Sequence, residues 1–493
     1  MRRLLCLIPI LWCSAGWAQI PTLVQHVSCP SSRNGGNGTT QSPTPDYLCP
    51  LPEPSQAGNA LLVGIMAYNN ATFTVSDDKS NTWAMVDSVV DSKNDFVGIY
   101  TATNVAAGTR FIKLHSSANT GNVAMSASEY YNIALTSAVD THHCNAGSSS
   151  TSITAGSITP ESSGDLLWQW AVNGADNGIP ISTTSFAAGS QSNISWQLSG
   201  TDINDGDAVQ AGIYNSTTAI NPTLTSGTVL PFDSCVMALK AASAGHAPIS
   251  AFRIVHMLHQ QLPQSAANPW PIQFASSGNL IVLSALTGTD TINGISSTPS
   301  NNWSTTGSAA IGGDNVSQIY YAANANSSNS LRLSVARNNN DGDATFMMYD
   351  FTGAATSPFD VDSGGQSGIQ SSVASSLTTC NSCLTPGSTN EVIIANFGQD
   401  WCTATGVKQP GGGLFDSVTY TGTSNSGPQP VDQNNGWMHY YNSDASAITM
   451  TWAESCQTTP QGSWAGRAAA FKPASSVNHP SAPTALKAAV VPK

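Results

Sequence analysis

The chain nearly repeats itself at a shift of 220 residues, and this duplication constrains its fold more than any other feature. Insertions enlarge the shift toward the end of each copy. A unit of this length is a whole domain, too large for one propeller blade or one solenoid turn. The landmarks that correspond in the first and second copies are Gly58 and Gly278, Trp83 and Trp303, Asn104 and Asn324, Asp140 and Asp360, Asp165 and Glu391, and Lys240 and Lys472.

Composition changes along the chain place the boundaries between its parts. Residues 243–248 are small residues, a histidine and a proline, which favour a short linker. Residues 474–493 are rich in proline, alanine and serine, which is typical of a disordered tail. The predicted organisation is a leader at 1–18, a first repeat at 19–242, the linker, a second repeat at 249–473, and the tail.

The amino terminus has the pattern of a secretory signal. Two arginines precede an apolar run that extends from Leu4 to Trp12, and Gly16 and Ala18 supply small residues at both specificity positions of a cleavage site. This pattern predicts export and cleavage after Ala18. The alternative is a lipoprotein anchored through Cys13, but Trp12 occupies a position where that signal needs a small residue. No later segment approaches the ~20 apolar residues of a spanning helix, so we expect a secreted protein without a membrane span.

The charge of the chain argues against nucleic acid as a partner. Sixteen lysines and arginines, two of them in the leader, oppose 29 aspartates and glutamates. An excess of negative charge repels a phosphate backbone. Charged residues are only 9% of the chain. Solubility must therefore come from serine, threonine, asparagine and glycine, which favour turns and pleated surfaces over long helices.

Short apolar segments between glycine, asparagine, serine and proline clusters predict strands throughout both repeats. Leu331, Leu333 and Val335 alternate with polar residues, as expected of a strand with one buried face. Histidine-containing apolar segments at 23–27 and 254–259 are the predicted first strands of the two repeats. Because no strand–helix–strand alternation occurs, we predict an all-β protein of two tandem antiparallel β-sandwich domains, jelly-roll-like or immunoglobulin-like.

The cysteines predict disulfides. Eight remain after leader removal, an even number that is typical of an exported disulfide-bonded chain. Sequence alone allows 105 connectivities. Our preferred set keeps each bond within one repeat. Cys380 and Cys383 are separated by two residues, a spacing that also occurs in redox and zinc sites, but the surrounding sequence is that of a loop. The preferred pairs are Cys29 with Cys49, Cys144 with Cys235, Cys380 with Cys383, and Cys402 with Cys456.

The order of these segments resembles the tandem β-sandwich repeats secreted by soil bacteria such as acidobacteria, often followed by fibronectin type III modules. The resemblance rests on Gly58–Val63, the Trp83 and Trp303 landmarks, and the matched acids and lysines named above, and it covers most of residues 20–473. It implies an extracellular β-sandwich protein and brings no settled activity. The second repeat has Asp350 where the first has Glu129, an unfavourable exchange for a catalytic acid.

The carboxylates do not form a recognisable catalytic pair in the sequence. Glycosidases need two carboxyl groups at a controlled separation. The glutamates are few, and proline-rich or strand-end contexts favour a solvated or turn-capping role for them, so no catalytic residue is predicted. They are Glu53, Glu129, Glu161, Glu391 and Glu454.

Two other patterns could suggest metals. Asn204–Asp207 and Asn340–Asp343 cluster acids and amides, but they lack the ligand rhythm of an EF-hand and are read as tight turns. The His142-His143 pair is read as surface or strand-end. His256 and His259 are three positions apart on a strand and would face opposite sides, so they could not converge on one ion. Neither a metal nor a cofactor is predicted.

Tryptophans are the remaining candidates for binding. Trp83 and Trp303 are expected to plug the core or anchor strand starts. Trp401 and Trp437 lie among glutamine, asparagine, aspartate and glycine, a setting suited to stacking on a sugar ring, with a sandwich-edge cap as the alternative. The sequence thus favours a non-catalytic binding or adhesion protein for a glycan or surface polymer. A structural spacer is the first alternative and a polysaccharide-degrading enzyme the second.

Overall fold

A computed structural model describes the parts of the chain in which the predicted domains lie. The described residues are 19–29, 46–67, 71–118, 123–173, 186–188, 191–201, 207–243, 251–261, 268–313, 315–338, 344–370, 376–399, 402–407, 414–415, 434–456 and 462–475. The predicted leader and most of the predicted tail lie outside these ranges.

The described chain is all-β and contains no helix, which confirms the predicted fold class at that level. No helix in it is long and apolar enough to span a membrane. The strands of the first half are β1 (Thr22–Ser28), β2 (Asp46–Pro50), β3 (Ala60–Ala67), β4 (Phe73–Asp77), β5 (Ala84–Val90), β6 (Phe96–Ala102), β7 (Phe111–Ser116), β8 (Val123–Tyr131), β9 (Val139–Thr154), β10 (Asp165–Asn173), β11 (Phe186–Ala188), β12 (Ile194–Thr201), β13 (Asp207–Tyr214) and β14 (Thr223–Leu239).

The second half has eighteen strands among its described residues. They are β15 (Arg253–Gln261), β16 (Trp270–Ser276), β17 (Leu280–Thr287), β18 (Ile292–Thr298), β19 (Trp303–Thr305), β20 (Ala310–Gly312), β21 (Asn315–Ala323), β22 (Ser328–Arg337), β23 (Thr345–Thr352), β24 (Ala354–Asp362), β25 (Gln366–Gln370), β26 (Ser376–Leu384), β27 (Val392–Gln399), β28 (Cys402–Val407), β29 (Leu414–Phe415), β30 (Asn434–Tyr441), β31 (Ile448–Cys456) and β32 (Gly462–Pro473).

One sheet of eleven strands, here called the central sheet, runs through both halves. The first half contributes strands in the order β1-β8-β3-β6-β5, and the second contributes β15-β23-β17-β21-β19, with β20 beside β21. When strands are counted from the start of each half and the short β20 is left out, the two orders are the same. All pairs are antiparallel except that of β1 with β15, which is parallel, with His26 opposite His256 and Ser28 opposite Leu258.

The parallel pair, here called the seam, is where the structure differs from two separately closed sandwiches. Each repeat begins with an apolar strand that would leave one row of backbone N–H and C=O groups unpaired. Pairing β1 with β15 removes both open edges at once. The predicted boundaries between repeats stay a prediction, but the two halves share a sheet across them.

The central sheet is covered on both faces. In each half a three-stranded sheet, β2-β7-β4 or β16-β22-β18, covers one face, and the six-stranded sheet containing β14 or β32 covers the other. A further three-stranded sheet in the second half, β26-β31-β28, packs on the six-stranded sheet that contains β32. These layers change sides at the seam. One buried cluster combines Ile112 of the three-stranded sheet in the first half with Ile394 of the six-stranded sheet in the second. Because β1 and β15 run the same way, the halves are related by an approximate two-fold axis parallel to these strands.

Glu53 of the first half is hydrogen-bonded to the second half at the seam. Its Oε1 accepts the backbone N–H of Ile254 at 2.9 Å and also the hydroxyl of Tyr441. In the other direction, the guanidinium of Arg253 donates to the carbonyl of Val24 at 3.1 Å. Burial raises the pKa of Glu53, an effect opposed by the nearby His439, Tyr441 and Arg253 groups. The seam is therefore held by side chains as well as by backbone pairing.

The structure places three of the four predicted cysteine pairs at disulfide-bonding distance. Cys402 and Cys456 face each other in the register of β28 and β31, and their bond stays a prediction because their side chains are not among the described ones. The three observed pairs are Cys29–Cys49, Cys144–Cys235 and Cys380–Cys383. They fit an oxidising, extracellular setting.

We expect Glu53→Ala to destabilise the protein. The change leaves the Ile254 N–H and the Tyr441 hydroxyl buried without their acceptor, and each unsatisfied group costs about 1–3 kcal/mol. Urea unfolding measures the loss. Glu53→Gln, which keeps one acceptor oxygen, is the matched control and should lose less. Equal stability of Glu53→Ala and the unaltered protein would show that these contacts do not hold the seam.

Candidate functional site

The two tryptophans proposed from the sequence for sugar binding have different outcomes. Trp437 on β30 is completely buried, and its Nε1 donates to the carbonyl of Ser284 at 3.3 Å. Its ring contacts His259 edge to face. This is the position of a core tryptophan, with no ring face open to a ligand. Trp401 lies outside the described residues, between the end of β27 and the start of β28.

Trp83 and Trp303 lie at matched strand starts. Trp303 is the first residue of β19, and Trp83 immediately precedes β5. Both are partly buried against the core, and the indole of Trp83 donates to Asp77 at 2.7 Å. They lie at the starts of β5 and β19, which are the two outermost strands of the central sheet.

The histidine and turn motifs do not assemble into a metal site among the described residues. His142 pairs with Asp87 at 2.9 Å, and His143 contacts the carbonyl of Ala155. His256 and His259 face opposite sides of β15, toward Phe274 and Trp437 respectively. Most of Asn204–Asp207 and all of Asn340–Asp343 lie outside the described residues, apart from Asp207, which is buried on β13.

Of the two roles expected for the glutamates, the solvated one does not hold for Glu53, Glu129 and Glu391, which are buried, whereas the turn-capping one fits Glu129. Glu129 caps the segment before β3 by accepting the Gln56 N–H at 2.8 Å and the Asn59 amide. Asp350 has the corresponding position in the second half and accepts the Gly278 N–H at 2.9 Å. Glutamate and aspartate can exchange here because both can cap a backbone segment.

A group of charged residues recurs at corresponding places in the two halves. In the first half it lies at the end of the six-stranded sheet where β10 begins and β14 ends. In the first half, Lys240 Nζ is 3.3 Å from Asp140 Oδ1 and 3.0 Å from Glu161 Oε2. The backbone N–H of Glu161 donates to Asp140 Oδ2 at 2.6 Å. Asp165, the first residue of β10, is hydrogen-bonded to Asp140. We call Asp140, Asp165 and Lys240 the first acid–lysine cluster.

The second half repeats this arrangement with a different acid. Lys472 Nζ is 3.3 Å from Asp360 Oδ1, the same separation as in the first half. The backbone N–H of Gly387 donates to Asp360 Oδ2 at 2.6 Å. Glu391, immediately before β27, takes the place of Asp165 and is hydrogen-bonded to Asp360. Asp360, Glu391 and Lys472 form the second acid–lysine cluster.

Burial keeps one acid of each cluster protonated to higher pH than usual. Burial, together with the hydrogen bond and the charge of Asp140, raises the pKa of Asp165 to about 7. Burial also raises the pKa of Glu391, and the charge of Asp360 adds to this. Burial alone would raise the pKa of Asp140, but hydrogen bonds from the Glu161 N–H, Asp165 and Lys240 hold it below its ordinary value. Each cluster thus brings together two carboxyl groups and one amine.

In the sequence, the members of both clusters are matched landmarks to which no chemistry is assigned. Their signal is chemical: in a chain with 9% charged residues, two acids and a lysine recur at corresponding places. What the sequence could not show is that these residues, far apart along the chain, meet at one end of the sheet. Comparison with protein-family models and with curated protein sequences finds no match, so the site is interpreted from its geometry.

We expect Asp165 to make stability depend on pH. Its pKa is raised from 3.8 to about 7 on folding, so its stabilising effect is complete below pH 3.8 and is lost as the pH rises to about 7. Asp165→Asn stays neutral and should lack this contribution. Urea unfolding of both proteins between pH 4 and pH 7 measures it. Parallel pH profiles would show that Asp165 ionises normally in the folded state.

Proposed function

We propose that the protein is an extracellular, non-catalytic binding or adhesion protein whose ligand is a glycan or another surface polymer. The observation that supports this most directly is the parallel seam between β1 and β15. Two linked copies of a binding surface raise the overall affinity only if both can engage the ligand together. A shared sheet fixes the relation of the two copies, which supports joint engagement of one ligand.

Because β1 and β15 are parallel, corresponding strands of the two halves end on the same side of the central sheet. Ser28 at the end of β1 lies opposite Leu258 near the end of β15. Gln261 at the end of β15 pairs with Thr345 at the start of β23, and β8 likewise starts at this end, with Val123. The ends of β1 and β15 and the starts of β8 and β23 therefore lie at one common end of the central sheet. This arrangement supports a single binding end to which strands of both halves contribute.

An extracellular location is supported by the disulfides, and export through the leader at 1–18 is part of the proposal. The acid–lysine clusters support the absence of bond-cleaving chemistry. A glycosidase places its two carboxyl groups on either side of the scissile bond, about 5 Å apart or more. In each cluster the acids are hydrogen-bonded to one another, which leaves no room for a sugar between them.

A structural spacer is the second candidate, and the shared sheet favours it too. A continuous eleven-stranded sheet covered on both faces is a stiff connector. This function requires no ligand. The two candidates therefore differ in one measurable property, saturable binding.

We expect Trp401→Ala to weaken retention of the full mature chain on the polysaccharide that binds it, as measured by affinity gel electrophoresis. Loss of one stacking ring removes about 1 kcal/mol, or roughly a fivefold change in affinity. Trp83→Phe is the matched control and should retain binding. Trp83 immediately precedes β5, at the end of the central sheet opposite the proposed binding end.

Three outcomes separate the alternatives. Unchanged retention of Trp401→Ala would remove Trp401 from the site. Failure of the unaltered protein to bind any polymer of a broad glycan panel would reject binding in favour of the spacer. Release of reducing ends from a polymer would instead establish an enzyme. Trp437→Ala is unsuitable as a test because removing a buried tryptophan costs about 3–5 kcal/mol of stability.

A further inference from the structure

We propose that each acid–lysine cluster forms a covalent amide cross-link between side chains, joining Lys240 to Asp140 and Lys472 to Asp360. The reaction is a condensation of an amine with a carboxylic acid, assisted by the neighbouring acid, Asp165 or Glu391. It occurs within the folded chain and requires no other reactant.

The first argument is the position of the amine. In both halves the lysine Nζ lies 3.3 Å from Oδ1 of its aspartate. The carbon that the nitrogen would attack, Cγ, is bonded to this oxygen, so the amine is held beside its target, and holding reacting groups close together strongly accelerates an intramolecular reaction. An ordinary exposed ion pair would not require the same separation twice. The aspartates are largely enclosed, whereas the lysines are about one third exposed, at 35% and 36%.

The second argument is the surroundings of the aspartate. A backbone N–H donates to its other oxygen, Oδ2, at 2.6 Å in both halves, from Glu161 and from Gly387. Attack on a carboxyl carbon puts negative charge on an oxygen, and backbone N–H groups fixed in place stabilise that charge. The equivalent donor is present in both clusters although the residue that supplies it differs.

The third argument is the second acid. Asp165 and Glu391 are enclosed, at 1% and 0% exposure, and hydrogen-bonded to the aspartate that would react. A protonated carboxyl group in this position polarises its neighbour and can deliver a proton to the departing oxygen. Aspartate in one half and glutamate in the other can both perform this role, since only the acidic proton is needed.

The atoms balance without an oxidant or a reductant. Within the ion pair, a proton passes from the lysine ammonium to the aspartate, which leaves a neutral amine and a carboxylic acid. The nitrogen lone pair attacks Cγ and forms the C–N bond. The C–Oδ1 bond then breaks, and the hydroxyl leaves as water with a proton from Asp165 or Glu391. That acid recovers its proton from the nitrogen, so one water is released for each bond.

The two clusters differ in one feature that affects the amine. In the first, hydrogen bonds from Lys240 to Glu161 and Asp140 raise the pKa of Lys240, which keeps the amine protonated and opposes attack. Among the described residues, Lys472 has an ion pair with Asp360 and no second carboxylate. We therefore expect the bond to form faster in the second half, and Glu161→Gln to accelerate the bond in the first.

The placement of the bonds suits a protein under load. Asp140 lies on β9, and Lys240 directly follows β14, its partner strand in the sheet. Asp360 lies on β24 and Lys472 on its partner β32. Each bond would fasten the last strand of its half, where a pull on the following chain would first peel the sheet apart.

The test is the intact mass of the full mature chain after complete reduction and denaturation. We expect a mass lower than that of the sequence by two water molecules, and branched peptides joining Lys240 to Asp140 and Lys472 to Asp360 after digestion. Asp165→Asn and Glu391→Gln keep the reacting pair and should each restore the mass of one water. Lys240→Arg and Lys472→Arg keep the positive charge and should do the same.

Each other outcome overturns part or all of the proposal. The full mass of the unaltered, folded chain would mean that both clusters are ion pairs only. Water loss that persists in both arginine variants would indicate cyclisation elsewhere and reject the cross-links. Bond formation at full extent in Asp165→Asn and Glu391→Gln would reject the role of the second acid. A branched peptide from one half alone would reject the bond in the other. Circular dichroism checks that each variant has folded.

Discussion

The parallel pairing of β1 with β15 determines how the rest of the molecule is arranged. Without it, each half would end its sheet at an apolar strand with unpaired backbone groups. With it, the same strand order continues on either side, and the layers that cover the sheet exchange faces. The seam also explains why Glu53 can be buried, since its acceptor oxygen satisfies an N–H on β15. A polar side chain there connects halves that backbone pairing alone would join at three residue pairs.

Much of the local structure could be predicted because it depends on neighbouring residues. The alternation around Leu331 appears as β22, where alternate residues are buried. Asn104 and Asn324 both adopt a positive φ, at 54° and 49°, a conformation that asparagine tolerates better than most residues. This shared backbone conformation explains why both halves have asparagine at the position. The cysteine pairs were predictable for a different reason: restricting each pair to one repeat removed most of the possible connectivities.

The features that were not predictable depend on contacts between distant segments. Glu53 lies between prolines, a context that suggests a solvated turn, but its actual surroundings come from the other half of the chain. Trp437 has polar neighbours in sequence, yet alternate residues on a strand face opposite ways, and its own side faces the core. The seam itself has no local signature. Any apolar first strand could pair with either edge of another sheet.

The acid–lysine clusters show how duplication carries chemical information that a single copy would not. One lysine beside one aspartate is an ordinary surface pair of small energetic value. Here the amine, the reacting carboxyl, the backbone donor and the second acid occur twice, although the second acid changes from Asp165 to Glu391. A purely structural ion pair would need only the lysine and the aspartate, so it does not explain why an enclosed second acid accompanies the pair in both halves. The geometry is therefore better explained by the work of a proton donor than by attraction between opposite charges.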